Sequence, residues 1–205
     1  MKLAIASGKG GTGKTTVAVS LALSLAATDA ASAPLFLDCD VEEPNAALFL
    51  RPEITAQRDV GLLIPVVDMV RCTTCGRCAA VCEYHAITVI GKQVLVFPEL
   101  CHGCGSCTRQ CPVDAIREEL DVIGMLERGH AGTVEFAQGT LNVGEALAVP
   151  VIRQLKKWAI PPDTGDRPVI LDAPPGTSCP VVETMRGADA VLLVTEPTPF
   201  GLHDL

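Results

Sequence analysis

The chain has 205 residues, of which 48% are hydrophobic, 20% are charged and 3% are aromatic, and its formal net charge is −8. This composition is typical of a globular protein and excludes a disordered chain. The acidic balance excludes the basic surface that general binding to nucleic acid or to anionic membranes requires, so neither partner is expected.

The first third of the chain alternates apolar runs with loops. Lys2–Ala6 predicts a buried strand, residues 7–14 a glycine-rich loop and residues 15–27 a helix. Leu35–Leu37 predicts a second strand that leads into acidic residues, and Val60–Val67 predicts a third strand.

The same alternation returns after a cysteine-rich segment, residues 65–118. The elements predicted there are a strand at Thr133–Phe136, a helix at Gly144–Trp158, a strand at Val169–Leu171, a helix at Val181–Arg186 and a strand at Ala190–Thr195. Apolar strands separated by helices predict an α/β fold, with a mostly parallel sheet and helices on both faces. The cysteine-rich segment is therefore an insertion in an α/β domain.

The glycine-rich loop carries the pattern G-x-x-x-x-G-K-[ST], placed between a strand and a helix. Such a loop points backbone N–H groups at phosphate oxygens, with Lys14 reaching the β- and γ-phosphates and the Thr15 hydroxyl reaching Mg²⁺. A glycine-rich turn without a ligand is the alternative. The predicted nucleotide-binding residues of the loop are Gly8, Lys9, Gly10, Gly11, Thr12, Gly13, Lys14, Thr15 and Thr16.

The cysteine-rich segment contains an internal repeat. CTTCGRCAAVCEYHAI, residues 72–87, returns as CHGCGSCTRQCPVDAI, residues 101–116, and KQVLVF between the copies predicts a small hairpin. Each copy has the spacing C-x₂-C-x₂-C-x₃-C, which favours iron–sulfur clusters over zinc or disulfides. A segment of this size is too small for a large core, so bound metal is expected to stabilise it.

This spacing resembles that of the two-cluster bacterial ferredoxins, in which the fourth cysteine of each motif binds the other cluster. The resemblance implies that one [4Fe–4S] cluster is held by Cys72, Cys75, Cys78 and Cys111. It implies that the second is held by Cys101, Cys104, Cys107 and Cys82. Glu83 departs from the pattern, because Pro112 occupies the matching position in the second copy.

The loop sequence K-G-G-x-G-K-T resembles the deviant Walker A loop of the MinD/ParA/nitrogenase iron-protein class of P-loop ATPases, a group described as CobQ/CobB/MinD/ParA-like. The resemblance implies that Lys9 crosses a dimer interface to the nucleotide of the opposite subunit; a solvated loop lysine is the alternative. In LDCDVEEPN it implies that Asp38 lies near Mg²⁺ and that Asp40 orients the attacking water. In VILDAPPGTS it implies that Asp172 holds a Mg²⁺-bound water and that Gly176 senses the γ-phosphate.

The resemblance divides the chain into an ATPase domain, residues 1–64 and 119–205, and an inserted ferredoxin domain, residues 65–118. Further strands and helices normally follow in this family, so the ATPase domain is expected to be incomplete at its C-terminal end. A cytoplasmic location is expected, because cleavage of the N-terminus as a signal peptide would discard the phosphate loop.

The expected function is ATP hydrolysis in a nucleotide-sandwich homodimer, with nucleotide state coupled to electron transfer through two [4Fe–4S] clusters to a redox partner. The alternatives are a cluster carrier like the Mrp-type ATPases, and a positioning ATPase like MinD or ParA whose clusters are structural or act as sensors. Cys39 is expected to be buried. Cys179 is expected to be a buried or capping thiol, or alternatively to bridge a cluster across a dimer, and the four histidines are expected at the surface.

Overall fold

The computed structural model describes residues 1–28, 33–165 and 167–203. The strands are β1 (Lys2–Ala6), β2 (Leu35–Asp38), β3 (Glu53–Val67), β4 (Ile87–Ile90), β5 (Gln93–Val96), β6 (Ile116–Ala131), β7 (Val134–Leu141), β8 (Val169–Asp172) and β9 (Ala190–Leu193). The helices are α1 (Lys14–Thr28), α2 (Ala46–Leu50), α3 (Arg77–Ala80), α4 (Ser106–Arg109), α5 (Ala148–Ala159), α6 (Cys179–Met185) and α7 (Pro199–His203). No helix in these ranges is long and apolar enough to cross a membrane.

The chain forms two compact units. Unit one comprises Met1–Val60, Gly124–Gly144 and Ala148–Leu205, and unit two comprises Gly61–Ile123 and Glu145–Leu147.

A seven-stranded sheet has the order β3-β6-β7-β2-β8-β1-β9. The five strands from β7 to β9 pair in parallel, whereas β6 runs antiparallel to β7. Gly129 of β6 lies against Glu53 of β3, and Gly61 lies against Asp121, so these two strands also run in opposite directions. The predicted α/β fold with a mostly parallel sheet is therefore confirmed.

Alternation along the parallel strands places helices on both faces of the sheet. Ile5, Phe36 and Ile170 pack into one core cluster with Ala18 and Ala22 of α1. On the other face, Ala6 packs with Val181 of α6, and α5 packs on β7 and on α6. Adjacent strand residues point to opposite faces, so the runs of wholly buried residues in β2 and β8 follow from having both faces covered.

One predicted boundary needs correction, and two elements were not predicted. The third strand begins at Glu53, seven residues before Val60, because its first half is polar and partly exposed. The strand β6 was not predicted, since charged residues interrupt its apolar positions and a parallel βα alternation leaves no place for it. The short helix α2 was also not predicted. The hairpin predicted from KQVLVF is confirmed, because β4 and β5 pair antiparallel with Ile87 opposite Val96.

The backbone of unit two repeats with an offset of 29 residues. The short helices α3 and α4 begin at Arg77 and Ser106, each after a left-handed glycine. Positive φ angles recur in pairs at the same spacing: Thr74 with Gly103, Gly76 with Gly105, and His85 with Asp114. The two copies of the cysteine motif therefore have the same local conformation as well as similar sequence.

Candidate functional site

A cleft of about 350 Å³ lies where the phosphate loop follows β1, and residues 9–16 line it together with Asp40, Glu43, Asn45, Phe49 and Pro175. Gly11 and Gly13 have φ angles of 81° and 87°, which L side chains rarely adopt. A Cβ atom built on Gly10, Gly11 or Gly13 would meet no described atom within 4 Å. The loop is thus an open cradle of backbone, with the size and shape that phosphate groups need.

Lys14 reaches from the base of this cradle to Asp172 at the end of β8. Its Nζ donates to Asp172 Oδ1 at 2.8 Å, and the Lys14 and Asp172 side chains are 7% and 0% exposed. Burial raises the pKa of Asp172, and the Lys14 ammonium opposes this rise. Among the residues described, Asp172 Oδ2 and the hydroxyl of Thr12 are buried without a hydrogen-bond partner. A hard cation or a phosphate group would satisfy these atoms, so the residues present fit Mg²⁺ and a nucleotide.

Two further carboxylates lie at the end of β2 and just beyond it. Asp38 is wholly buried, and its oxygens accept hydrogen bonds from the backbone N–H groups of Asp40, Asn45 and Ala46 at 2.9 to 3.1 Å. Burial and then the charge of Asp172 raise the pKa of Asp38 to about 7. Asp40 lines the cleft. Burial raises its pKa to about 6, although Lys14 opposes this. The Mg²⁺ role of Asp38 and the water-orienting role of Asp40 stay predictions.

Lys9 and Gly176 are both engaged within this chain. Lys9 Nζ donates to Glu196 Oε2 at 3.0 Å, in a pair whose side chains are 33% and 42% exposed. The Gly176 N–H donates to the Ser7 carbonyl at 2.9 Å. Gly8 and Gly176 line a neighbouring groove rather than the cleft itself. The predicted contacts of Lys9 and Gly176 with nucleotide would each require these bonds to be exchanged.

In unit two, the eight motif cysteines surround two separate cavities. We define the first cavity as the one lined by Cys72, Cys75, Cys78 and Cys111, and the second cavity as the one lined by Cys82, Cys101, Cys104 and Cys107. These two sets are the ones that the ferredoxin resemblance implies. No three His, Cys, Asp or Glu side chains in the described ranges are grouped so as to hold a single metal ion.

Backbone N–H groups point at the sulfur atoms in both cavities. Thr74 N donates to Cys72 Sγ at 3.4 Å, and Gly103 N donates to Cys101 Sγ at 3.5 Å. The fourth cysteines, Cys82 and Cys111, accept from the N–H groups of Ala86 and Ala115 at 3.3 and 3.2 Å. Such hydrogen bonds stabilise sulfur that carries negative charge, as cluster-bound thiolates do. The residues present therefore fit two iron–sulfur clusters.

A comparison with protein families identifies the chain's relatives. The family of the CobQ/CobB/MinD/ParA nucleotide binding domain matches residues 3–167, which is most of the chain. The chain belongs to this family. Its P-loop, Asp38 and Asp40 lie within the matched range, whereas Asp172 lies beyond it.

This CobQ/CobB/MinD/ParA domain is similar to several individual proteins. The uncharacterized protein MJ0578 of Methanocaldococcus jannaschii is 33% identical over all of this chain and 70% of its own length. The polyferredoxin-like protein MJ0934 of the same organism is 42% identical over 52 residues, 25% of this chain and 22% of its own length. The structure of the septum site-determining protein MinD from Pyrococcus horikoshii with Mg-ADP has a TM-score of 0.48 at 18% identity, and this chain spans 60% of its length.

Some site residues of this CobQ/CobB/MinD/ParA domain were not found from the sequence. Glu196 contacts Lys9 across 187 residues of chain, and Phe49 reaches the cleft from an unpredicted helix. Glu118 lines the second cavity, where the sequence had drawn attention to the exposed Glu83 instead. The 29-residue offset of the repeat could have identified Glu118. It aligns this carboxylate with the apolar Val89 of the first copy, so the two copies differ in charge at this position. Cys39 is buried as expected, whereas Cys179 is exposed at the first turn of α6 and is not a buried thiol.

Proposed function

We propose that this CobQ/CobB/MinD/ParA domain binds and hydrolyses Mg·ATP, and that nucleotide state controls the passage of electrons through two [4Fe–4S] clusters in unit two. The redox partner is a protein that exchanges one electron at a time. The observation that carries the proposal is the grouping of the eight motif cysteines into two sets of four around two cavities, in a chain that also carries a P-loop.

On the nucleotide side, the roles follow from the cleft. The backbone N–H groups of the loop and Lys14 bind the phosphates, and the Thr15 hydroxyl and Asp172 carboxylate hold Mg²⁺ directly or through water. Bound Mg²⁺ neutralises charge that develops on the phosphates. Lys14 exchanges its 2.8 Å ion pair with Asp172 for the phosphates, and this frees Asp172 for the cation. Asp40, on the cleft wall, orients the attacking water.

On the redox side, the chain holds each cluster by three cysteines from one loop and a fourth from the other copy of the repeat. A bound [4Fe–4S] cluster takes up and releases one electron. The N–H groups of Thr74, Gly103, Ala86 and Ala115 stabilise the negative charge on the sulfur atoms. The partial similarity to a polyferredoxin-like protein supports this part of the proposal.

The cluster content is tested by anaerobic purification followed by iron and acid-labile sulfide analysis. Two cubanes require about eight iron atoms and about eight sulfides per chain, together with [4Fe–4S] spectra. About two zinc ions per chain and no sulfide would remove the electron-transfer proposal.

The coupling is tested by measuring the cluster midpoint potentials with ATP, with ADP and without nucleotide. We expect the values to differ among the three states. The Lys14→Ala variant, which should not bind nucleotide, is the control and should give the nucleotide-free values throughout. Equal midpoint potentials in all three states of the wild-type protein would contradict the coupling. They would instead favour the alternative of a positioning ATPase with structural clusters.

A further inference from the structure

The two cysteine cavities have matching backbones but different walls. An offset of 29 residues aligns ten of the fourteen residues that line the first cavity with residues that line the second. The N–H bonds to sulfur are the same in both, with lengths that agree to within about 0.1 Å. Differences between the two sites therefore come from side chains.

The first difference in charge is at the aligned pair Val89 and Glu118. Val89 lines the first cavity, and Glu118 lines the second. The Glu118 side chain is half-buried, and its Oε1 accepts a hydrogen bond from the Thr108 hydroxyl at 3.0 Å. Its Oε1 also lies near the position that a Cβ on Gly105 would occupy. This bond and the packing around Gly105 hold the carboxylate at the wall of the second cavity.

The second difference is a positive charge at the first cavity that the second cavity lacks. Arg77 lines the first cavity, and its aligned residue in the second is Ser106. The Ser106 hydroxyl lies 3.4 Å from Cys104 Sγ and could donate to a thiolate there, which partly offsets the effect of Glu118. Arg77 is exposed, so solvent screens its charge more than that of the half-buried Glu118.

The third difference is a pair of rings. Tyr84 and His102 line the second cavity and stack with their centroids 3.6 Å apart and their planes at 14°. Their aligned residues in the first cavity are Val113 and Thr73, which form no such pair. The two rings form part of the second cavity wall, and both remain exposed on their other side.

We propose that the two clusters have unequal reduction potentials, and that the cluster in the second cavity is the harder one to reduce because Glu118 forms part of its wall. Reduction adds one electron to the cluster, and a nearby carboxylate destabilises the added negative charge. In the first cavity, Arg77 favours the reduced form. An electron that enters the protein therefore comes to rest in the first cavity. This inference rests on the proposed presence of two [4Fe–4S] clusters.

The test is a redox titration of the anaerobically purified chain with dithionite, followed by electron paramagnetic resonance at a single pH. The wild-type protein should reduce in two separable one-electron steps. Glu118→Gln keeps an acceptor for Thr108 and removes the charge. It should raise only the lower potential, by about tenfold in the equilibrium constant for reduction, or about 59 mV. Arg77→Gln should lower only the higher potential, by a smaller amount.

Glu119→Gln is the matched control. Glu119 is the adjacent carboxylate, is 56% exposed and is paired with Arg117. It does not line the second cavity, so its removal should shift neither step. A protein with two clusters that titrates as one potential overturns this inference and leaves the proposed function intact, and so does an equal effect of the two glutamate variants. A protein without iron overturns the proposed function itself.

Discussion

Glu196 holds Lys9 in an ion pair at the surface of the phosphate loop, with Nζ 3.0 Å from Oε2. An ion pair that is about one-third exposed contributes little to stability, typically about 0 to 1 kcal/mol. It can nevertheless keep Lys9 from other anions, because one ammonium cannot serve two distant partners at once. In the sandwich dimer that the family resemblance implies, Lys9 would have to leave Glu196 to reach the nucleotide of the opposite subunit.

We predict that Glu196→Gln increases ATP turnover by up to about fivefold, the change that about 1 kcal/mol produces in an equilibrium. Steady-state phosphate release measures this. Glu119→Gln removes an exposed, paired carboxylate in unit two and serves as the control, with unchanged turnover expected. A loss of turnover in Glu196→Gln would instead make Glu196 part of the catalytic site.

The raised pKa values of Asp38 and Asp40, about 7 and about 6, predict a pH-dependent affinity for Mg·ADP. A raised pKa means that the apo site holds protons that a cation must displace, so affinity should fall as the pH is lowered through these values. The fall is up to about tenfold per pH unit for each displaced proton. Calorimetric titration with and without Mg²⁺ measures it. In Asp40→Asn the component near pH 6 should disappear; the same pH profile in both proteins would contradict this assignment.

The sequence predicts where the loop residues lie, because their position depends on local pattern alone. Gly11, Gly13 and Lys14 are fixed by a short pattern between a strand and a helix, and the structure places all three on the cleft. Glu196 could not be found in this way, because its contact with Lys9 depends on how distant parts of the chain fold together. Glu118 is an intermediate case, because only its alignment with Val89 in the other copy of the repeat distinguishes it from the neighbouring glutamates.

At the level of elements, β6 shows where pattern reasoning fails. Its buried residues include Ile123 and Leu126, but charged residues stand between the apolar ones. Only the short loop of residues 112–115 separates it from the last motif cysteine, without the crossover helix that a parallel strand requires. The parallel strands β1, β2 and β8 were predictable because they are short, apolar and buried on both faces.

The pairing of β3 with β6 depends on Gly129. A Cβ at this position would overlap the backbone of Glu53 and Ile54. We predict that Gly129→Ala lowers the free energy of unfolding by about 1 to 3 kcal/mol, the usual cost of overpacking. Chemical denaturation of the anaerobic protein measures this.

Gly10→Ala is the control for that experiment, because an added Cβ there meets open space. Its free energy of unfolding should be unchanged even if nucleotide affinity falls. Equal stability of Gly129→Ala and the wild-type protein would show that the two strands separate readily enough to accommodate the methyl group.

At the level of the whole molecule, the expected sandwich dimer gives two lysines of the same loop different roles: Lys14 binds the nucleotide of its own subunit, and Lys9 that of the opposite subunit. Lys14→Ala should abolish nucleotide binding, because the residue reaches into the cradle. Lys9→Ala should bind nucleotide normally, but should lose hydrolysis and ATP-dependent dimer formation. Light scattering with ATP and with ADP, alongside nucleotide titration, separates the two effects. An unchanged turnover rate in Lys9→Ala would argue against the sandwich.

Cys75 and Cys104, the second cysteines of the two motifs, are exposed, whereas Cys78 and Cys101 are buried. Oxidation of sulfur ligands follows their exposure. In a cluster-loaded protein, Cys75 and Cys104 would therefore be the ligands most open to oxidation by air, at the matching position of both sites. A small electron donor would also approach each cluster at these exposed cysteines. The part of each site most accessible for electron transfer would therefore also be the part most accessible to oxidation.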